Sequence, residues 1–296
     1  MEELIGIIGA GRLGASLARA LSEAGCTVPA VCDRDVRKAE QTASSCGDVT
    51  IACAIDSLPQ HLTLVILAVP DDDIVKVGIQ LAQHLTPDED RIVAHTSGVL
   101  NADVLSAALP HHKLVASMHP VQTLSGSEKD WKRLFNITYG IQGPPDAVHR
   151  LKNIVHKLDG KIVLVQPAGK ALYHVACVIA ANFTVGLQHA AVRMLNAIGI
   201  EERDALTMLA PLVRATLENI LEQGPATALT GPVSRGDIGT VKKHYDHLEK
   251  KLPELLTLYS ALSKYLVSIA VQQGKADEKA LEEIVAFLNA KGEHFT

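Results

Sequence analysis

The sequence predicts an α/β domain, with a mostly parallel sheet and helices on both faces, followed by an all-α domain. Three observations carry this. Short apolar runs alternate with amphipathic segments over the first two-thirds of the chain, the pattern of strands and crossover helices. The run Leu64-Val65-Ile66-Leu67-Ala68-Val69 lacks alternation, as a parallel strand buried on both faces should. From about Ala168 the period becomes helical, and no β-branched run of strand length returns. The expected domains are residues 1–166 and 167–296. A chain of 296 residues also exceeds most single cores.

Taken in order, residues 4–8 read as the first strand. Leu13, Leu17, Ala20, Leu21 and Ala24 then recur at helical spacing, with Gly25 as a natural stop. Strands follow at 27–32, 50–54, 62–69, 92–95, 114–118, 137–142 and 161–165. Helices are expected near 168–198, 202–222, 238–248, 252–273 and 277–291. The stretch from Gly224-Pro225 to Gly231-Pro232 breaks both periods and reads as loop.

Composition excludes several classes. The chain is 47% hydrophobic and 21% charged, ordinary for a soluble globular protein, and its 3% aromatic content demands an aliphatic core. A net charge of −5 offers no footprint for nucleic acid or an anionic membrane. Five cysteines, odd in number and without CxxC spacing, suit free thiols in a reducing compartment. The start, Met1-Glu2-Glu3, lacks the basic region of a secretory signal. The most apolar stretch, 172–195, carries His174, Asn182, Gln188, His189 and Arg193, so it reads as a buried helix rather than a membrane span. The expectation is a cytoplasmic protein that binds neither nucleic acid nor membrane.

The chemistry begins at Gly9-Ala10-Gly11-Arg12-Leu13-Gly14, between an apolar strand and a helix, where a dinucleotide loop must stand. Gly9 permits the tight turn, Gly11 lets the backbone approach a pyrophosphate, and Gly14 allows close helix–strand packing. The helix start then offers free N–H groups and a positive dipole end. These features make the first domain a Rossmann domain for NAD(P)(H). About 20 residues beyond the loop, Asp33 ends the second strand, where a carboxylate binds ribose hydroxyls and favours NAD. Arg34 follows and suits the extra phosphate of NADP. The choice stays open. Val69-Pro70 ends the fourth strand and is expected beside the cofactor. Asp71, Asp72 and Asp73 read as helix N-capping before Ile74 rather than as metal ligands.

Ligands of an open α/β sheet lie beyond the carboxyl ends of its strands. His95-Thr96-Ser97-Gly98 and Ser117-Met118-His119-Pro120 stand at two such ends. Hydride reduction of C=O or C=N develops charge on the heteroatom, which calls for a proton donor or hydrogen-bonding group. Ser97 and His119 are expected to polarise the substrate. In the helical part, His174 and Asn182 stand roughly 12 Å apart along one helix. His174 is the expected proton donor or acceptor and Asn182 the orienting group; a helix–helix hydrogen bond is the alternative. Arg235, in Gly231-Pro232-Val233-Ser234-Arg235-Gly236-Asp237, suits a substrate carboxylate or a cofactor phosphate, or else pairs with an Asp in its loop. Ser234 or Asp237 is the expected N-cap there. His244 and His247 read as a solvated helix face.

These motifs, with Tyr173-His174, resemble one family: oxidoreductases that join a Rossmann-like domain to the helical domain of unknown function 2520. More distantly the layout is similar to the 6-phosphogluconate dehydrogenase-like superfamily, with its ketopantoate and pyrroline-5-carboxylate reductases and prephenate dehydrogenases. In several of those, the first long helix of the second domain carries a catalytic Lys with an Asn one or two turns later. The resemblance implies that His174 stands for the Lys and Asn182 for the Asn. It also implies a homodimer through the helical domain. The resulting expectation is an NAD(P)-dependent oxidoreductase for a small carbonyl, imine or hydroxy acid, with its site between the domains. The other expectation is a dinucleotide sensor or scaffold without turnover.

Overall fold

A computed structural model describes residues 2–47 and 50–292. It divides into two units, Met1–Asn182 and Phe183–Thr296, each described here by itself.

In the first unit, β1 (Leu4–Ile8), α1 (Arg12–Glu23), β2 (Thr27–Cys32), α2 (Val36–Ser44), β3 (Ile51–Cys53), β4 (Leu64–Leu67) and α3 (Asp71–His84) come first. They lead into β5 (Ile92–His95), β6 (Leu114–Pro120), β7 (Thr138–Gln142), α4 (Pro145–Lys157), β8 (Lys161–Leu164) and α5 (Lys170–Val178). The eight strands form one sheet in the order β3-β2-β1-β4-β5-β6-β7-β8. Only the β6–β7 pairing is antiparallel, with Ser117 opposite Gln142 and Pro120 opposite Tyr139.

Strict alternation of side chains builds two cores from the same strands. Leu64 and Ile66 of β4, with Ile5 and Ile7 of β1, pack under Leu17 and Leu21 of α1 and Leu151 and Val155 of α4. Val65 and Leu67, with Ile8, face the other way onto Ile74 and Leu81 of α3. A strand buried on both faces has no polar side, which is why the 64–69 run shows no alternation.

Several expectations need correction. The fourth strand stops at Leu67, because the backbone then turns past Gly9 into α3. The sixth strand runs on to Pro120, so His119 lies within it rather than beyond it. The three aspartates form the first turn of α3; Pro70 holds the cap position, and no side chain caps that end. They still oppose the positive helix terminus. The expected helix at 168–198 is α5, a π-helical turn at Ile179–Phe183, and α6 (Thr184–Asn196). The unit boundary falls in this π turn rather than at 166/167, because Lys170 and Tyr173 are bonded to β6 of the first unit.

The second unit is helical: α6, α7 (Glu202–Gln223), α8 (Pro225–Ala228), α9 (Ile238–Lys251), α10 (Leu256–Gln273) and α11 (Glu278–Gly292). Its core joins Val241, Tyr245, Val267, Leu281, Ile284 and Leu288. Asp237, one of the two expected caps, accepts the Thr240 N–H at 2.9 Å, whereas Ser234 donates to Gln273 at 2.8 Å. The segment expected as a buried helix is largely exposed, with only 11% of its most apolar window buried. Leu172 is 74% and Val185 70% exposed. Two helices, Pro167–Asn196 and Pro253–Gln273, are long and apolar enough to cross a membrane by length and composition.

Candidate functional site

The glycine loop sits where β1 hands over to α1. Gly9 has φ +99, and a β-carbon there would stand 2.5 Å from the Ala68 carbonyl oxygen. At Gly14 a β-carbon would meet the Gly9 carbonyl oxygen at 1.7 Å, so α1 can pass this close to β1 only with glycine. Gly11 differs: nothing lies within 4 Å of the place a β-carbon would take. Among the described residues, no acceptor in the chain takes the N–H of Gly11, Arg12, Leu13 or Gly14. Free N–H groups at a helix start, opening onto empty space, are an anion cradle. The residues present fit a dinucleotide pyrophosphate.

Two hydrogen bonds fix this loop to the end of β2. The Gly9 N–H donates to the Cys32 carbonyl at 2.7 Å, and the Ala10 N–H donates to the Asp33 carboxylate at 2.6 Å. The other Asp33 oxygen accepts the Asp35 N–H at 2.8 Å. Asp33 therefore has a structural duty in addition to any ribose contact. Arg34 is exposed on the next residue, and Arg12 lies against Gly126 of the β6–β7 connection. Val69 packs against Gly9, which puts the end of β4 next to the loop, with exposed Pro70 following.

Along the same carboxyl edge, β5, β6, β7 and α5 assemble a polar cluster. Lys170, only 2% exposed, donates through Nζ to Ser117 Oγ and, at 3.5 Å, to Gln142 Oε1. Gln142 is itself held by the Ala102 N–H at 2.8 Å and reaches Asn101 at 3.4 Å. His119 Nδ1 and the Tyr173 hydroxyl share a hydrogen bond of 2.7 Å. The His174 ring lies 6.2 Å from that of His119, edge to face. Gly98 makes this possible, since a β-carbon there would stand 2.6 Å from His174 and 2.9 Å from His119 Nε2.

Burial sets the protonation states. It pushes Lys170 down to about 8, opposed by the Asp71 carboxylate. It pushes His119 down to about 4, helped by the charges of His174 and Lys170. His95, fully buried, is likewise near 4. Its Nδ1 accepts the Ser97 N–H at 3.2 Å, so Nε2 carries the proton and donates to the Asn101 carbonyl at 3.1 Å. His95 and His119 are thus neutral near pH 7, while Lys170 carries most of the transferable charge.

Of the residues singled out in the sequence, Ser97, His119 and His174 come together around Gly98. Ser97 itself serves the turn after β5, its Oγ accepting the N–H groups of Val99 and Leu100 at 3.2 and 3.0 Å. Asn182 is exposed in the π turn, and no hydrogen bond ties it to the cluster among the described residues. Arg235 is exposed on a turn of the second unit. Ser117 and Tyr173 stand in motifs the sequence singles out but carry no role there, and Lys170 and Gln142 carry none either. The signal for Lys170 was present: it precedes Tyr173 by three residues and His174 by four, which puts all three on one helix face. Lys170 stands one turn before His174 on the same helix.

A mostly parallel sheet wound on both faces, with a glycine loop at the first crossover, defines a Rossmann-like nucleotide-binding protein. Two domain families match the sequence: a Rossmann-like domain over residues 2–120, and DUF2520, a domain of unknown function, over residues 137–266. The chain joins a match to each of these two domains, in this order. DUF2520 begins at β7, so this family takes in the last part of the sheet as well as most of the helices. No curated protein matches the sequence. Among solved structures, the chain is similar to a Bacteroides fragilis protein provisionally named an NADP oxidoreductase. The two are 24% identical with a TM-score of 0.73, over 90% of this chain and 98% of that one. Protein TM1727 of Thermotoga maritima is 25% identical, with a TM-score of 0.72, over 91% and 99% of the two chains. The pyrroline carboxylate reductase of Plasmodium falciparum, solved with NADP bound, is 14% identical, with a TM-score of 0.60, over 96% and 97%.

Proposed function

We propose that the chain is an NAD(P)-dependent oxidoreductase that transfers a hydride between the nicotinamide and a small carbonyl, imine or hydroxy acid bearing a carboxylate. One observation carries the reading: an open, unpaired glycine loop and a buried proton-bearing cluster share the carboxyl edge of one sheet. The names of the B. fragilis and P. falciparum neighbours support the same class. When bound, the dinucleotide supplies or accepts the hydride. The protein's part is to hold the substrate heteroatom and to manage its proton. Lys170 is the donor in reduction and the acceptor in oxidation, because its ammonium is poised near pH 8 and faces the Ser117 hydroxyl. Neutral His119, fixed by Tyr173, contributes a hydrogen bond rather than a charge. His174 closes the cluster beside Gly98.

The test is calorimetric titration with NADH and NADPH, followed by a keto-acid and imine screen with the tighter cofactor. Lys170→Met should keep cofactor affinity and lose roughly 100-fold or more in kcat. The wild-type kcat/KM profile should bend near pH 8, where free Lys would bend it near 10.5. Absence of binding to either cofactor sinks the whole reading; unchanged turnover in Lys170→Met sinks the role of Lys170.

The protein is also proposed to be a homodimer through its helices. Support comes from exposed apolar side chains within the second unit, among them Val185, Leu206, Leu212 and Leu221.

A further inference from the structure

We propose that Cys32 and Cys53 form a reversible disulfide under oxidant, and that this cross-link weakens dinucleotide binding. The two residues face each other in register on the adjacent parallel strands β2 and β3. In-register neighbours have Cα atoms about 4.8 Å apart, within the roughly 4.4–6.8 Å that a disulfide spans. Their sulfurs are 2.7 Å apart, so drawing the two strand ends together by less than about 1 Å closes them to the roughly 2.05 Å of an S–S bond. Cys32 is 2% exposed, whereas Cys53 is half-buried on β3, the strand at the sheet's edge, where a small oxidant reaches it. The Cys53 thiol also lies below its ordinary range through the hydrogen bond from Cys32, so it ionises first. The other cysteines differ. Cys26 and Cys46 are buried and pushed up by that burial, and Cys177 is pushed up likewise.

The reaction balances with a peroxide as oxidant. The Cys53 thiolate attacks the peroxide O–O bond; an S–O bond forms, the O–O bond breaks, and hydroxide leaves and is protonated to water. The Cys32 thiol then attacks the Cys53 sulfur. The S–S bond forms, the S–O bond breaks, and a second water leaves with the Cys32 proton. Two electrons pass from the cysteines to the peroxide.

The consequence follows from what Cys32 holds. Its carbonyl accepts the Gly9 N–H, and the next residue, Asp33, accepts the Ala10 N–H. The strand end that the disulfide would clamp is therefore the strand end that positions the glycine loop. Drawing β2 toward β3 shifts the acceptors of both bonds. This coupling rests on the cofactor reading above, but the cross-link itself does not.

The experiment uses the full-length protein, reduced and then treated with hydrogen peroxide. Intact and peptide mass spectrometry follow alkylation, with NADH and NADPH titrations before and after. The expected result is two fewer alkyl groups than the reduced protein takes up, a single Cys32–Cys53 linked peptide pair, and affinity weakened roughly tenfold and restored by dithiothreitol. Cys53→Ser and Cys53→Ala should bind like the reduced wild type and lose the response to peroxide. Separate alkylation of Cys32 and Cys53 after peroxide, or sulfinic acid at Cys53 without a linked pair, overturns the cross-link. A complete cross-link with unchanged affinity overturns the coupling. Reduced protein that binds neither dinucleotide overturns the cofactor reading and the coupling with it, while the cross-link is then judged on mass alone.

Discussion

Gly11 and Gly14 stand three residues apart in one loop and differ in what surrounds them. A methyl group at Gly14 collides with the Gly9 carbonyl, a backbone atom that cannot move without moving β1. Gly14→Ala should therefore cost about 1–3 kcal/mol of stability, visible as a lower Tm, whether or not cofactor is present. A methyl group at Gly11 meets nothing in the protein. Gly11→Ala should change stability by less than about 0.5 kcal/mol and weaken cofactor binding by roughly tenfold or more, because the methyl fills space meant for the ligand. If Gly11→Ala binds NAD(P)H normally, the cradle is not where the pyrophosphate lies. The packing role of Gly14 was legible in the sequence, since the loop's spacing is tied to its mechanics. Lys170 was not legible to the same degree. It opens an apolar helix, where a lysine reads as a solvated end, and its burial depends on Ser117 and Gln142, more than 25 residues away in the chain.

At the level of elements, strands buried on both faces were read well because their apolar runs admit little else. The direction of β7 was not readable. In the connection that precedes it, buried Asp130 gathers the N–H groups of Gly126 and Ser127 and the Ser125 hydroxyl. Such a hub joins residues with no period of their own. The strand ends also carry a pH dependence. His95 at the end of β5 and His119 near the end of β6 titrate near 4 in the folded chain, below the ordinary 6.5 of an unfolded one. Between those values the unfolded state holds more protons, so stability rises with pH. It is fully present above about pH 6.5 and falls as pH drops toward 4. Each histidine should contribute about 1–3 kcal/mol over that window. Urea unfolding at pH 7 and pH 5 tests this, with His119→Gln expected to lose about half of the difference. A stability independent of pH across this window would show that the two imidazoles are solvated.

For the whole molecule, the order of the two parts was readable, but their division was not. Residues 167–182 have the composition of the helical part, yet α5 is hydrogen-bonded to the sheet through Lys170 and Tyr173. The apolar surface bears on assembly. Within the second unit, Val185 of α6 is 70% exposed, and Leu206, Leu212 and Leu221 of α7 are 50%, 64% and 85% exposed. Covering apolar side chains as exposed as these gains roughly 25 cal/mol for each Å² of apolar surface removed from water. In the proposed homodimer a second copy of the chain would cover these side chains by symmetry. Light scattering after size exclusion should give twice the chain mass at micromolar concentration. Leu212→Glu combined with Val185→Glu should give a monomer that keeps its helical circular dichroism, because neither side chain belongs to the second unit's core. Wild-type protein that elutes as a monomer without detergent would show that something other than its own copy must cover α6 and α7. A dimer that survives both substitutions would move the interface to another face.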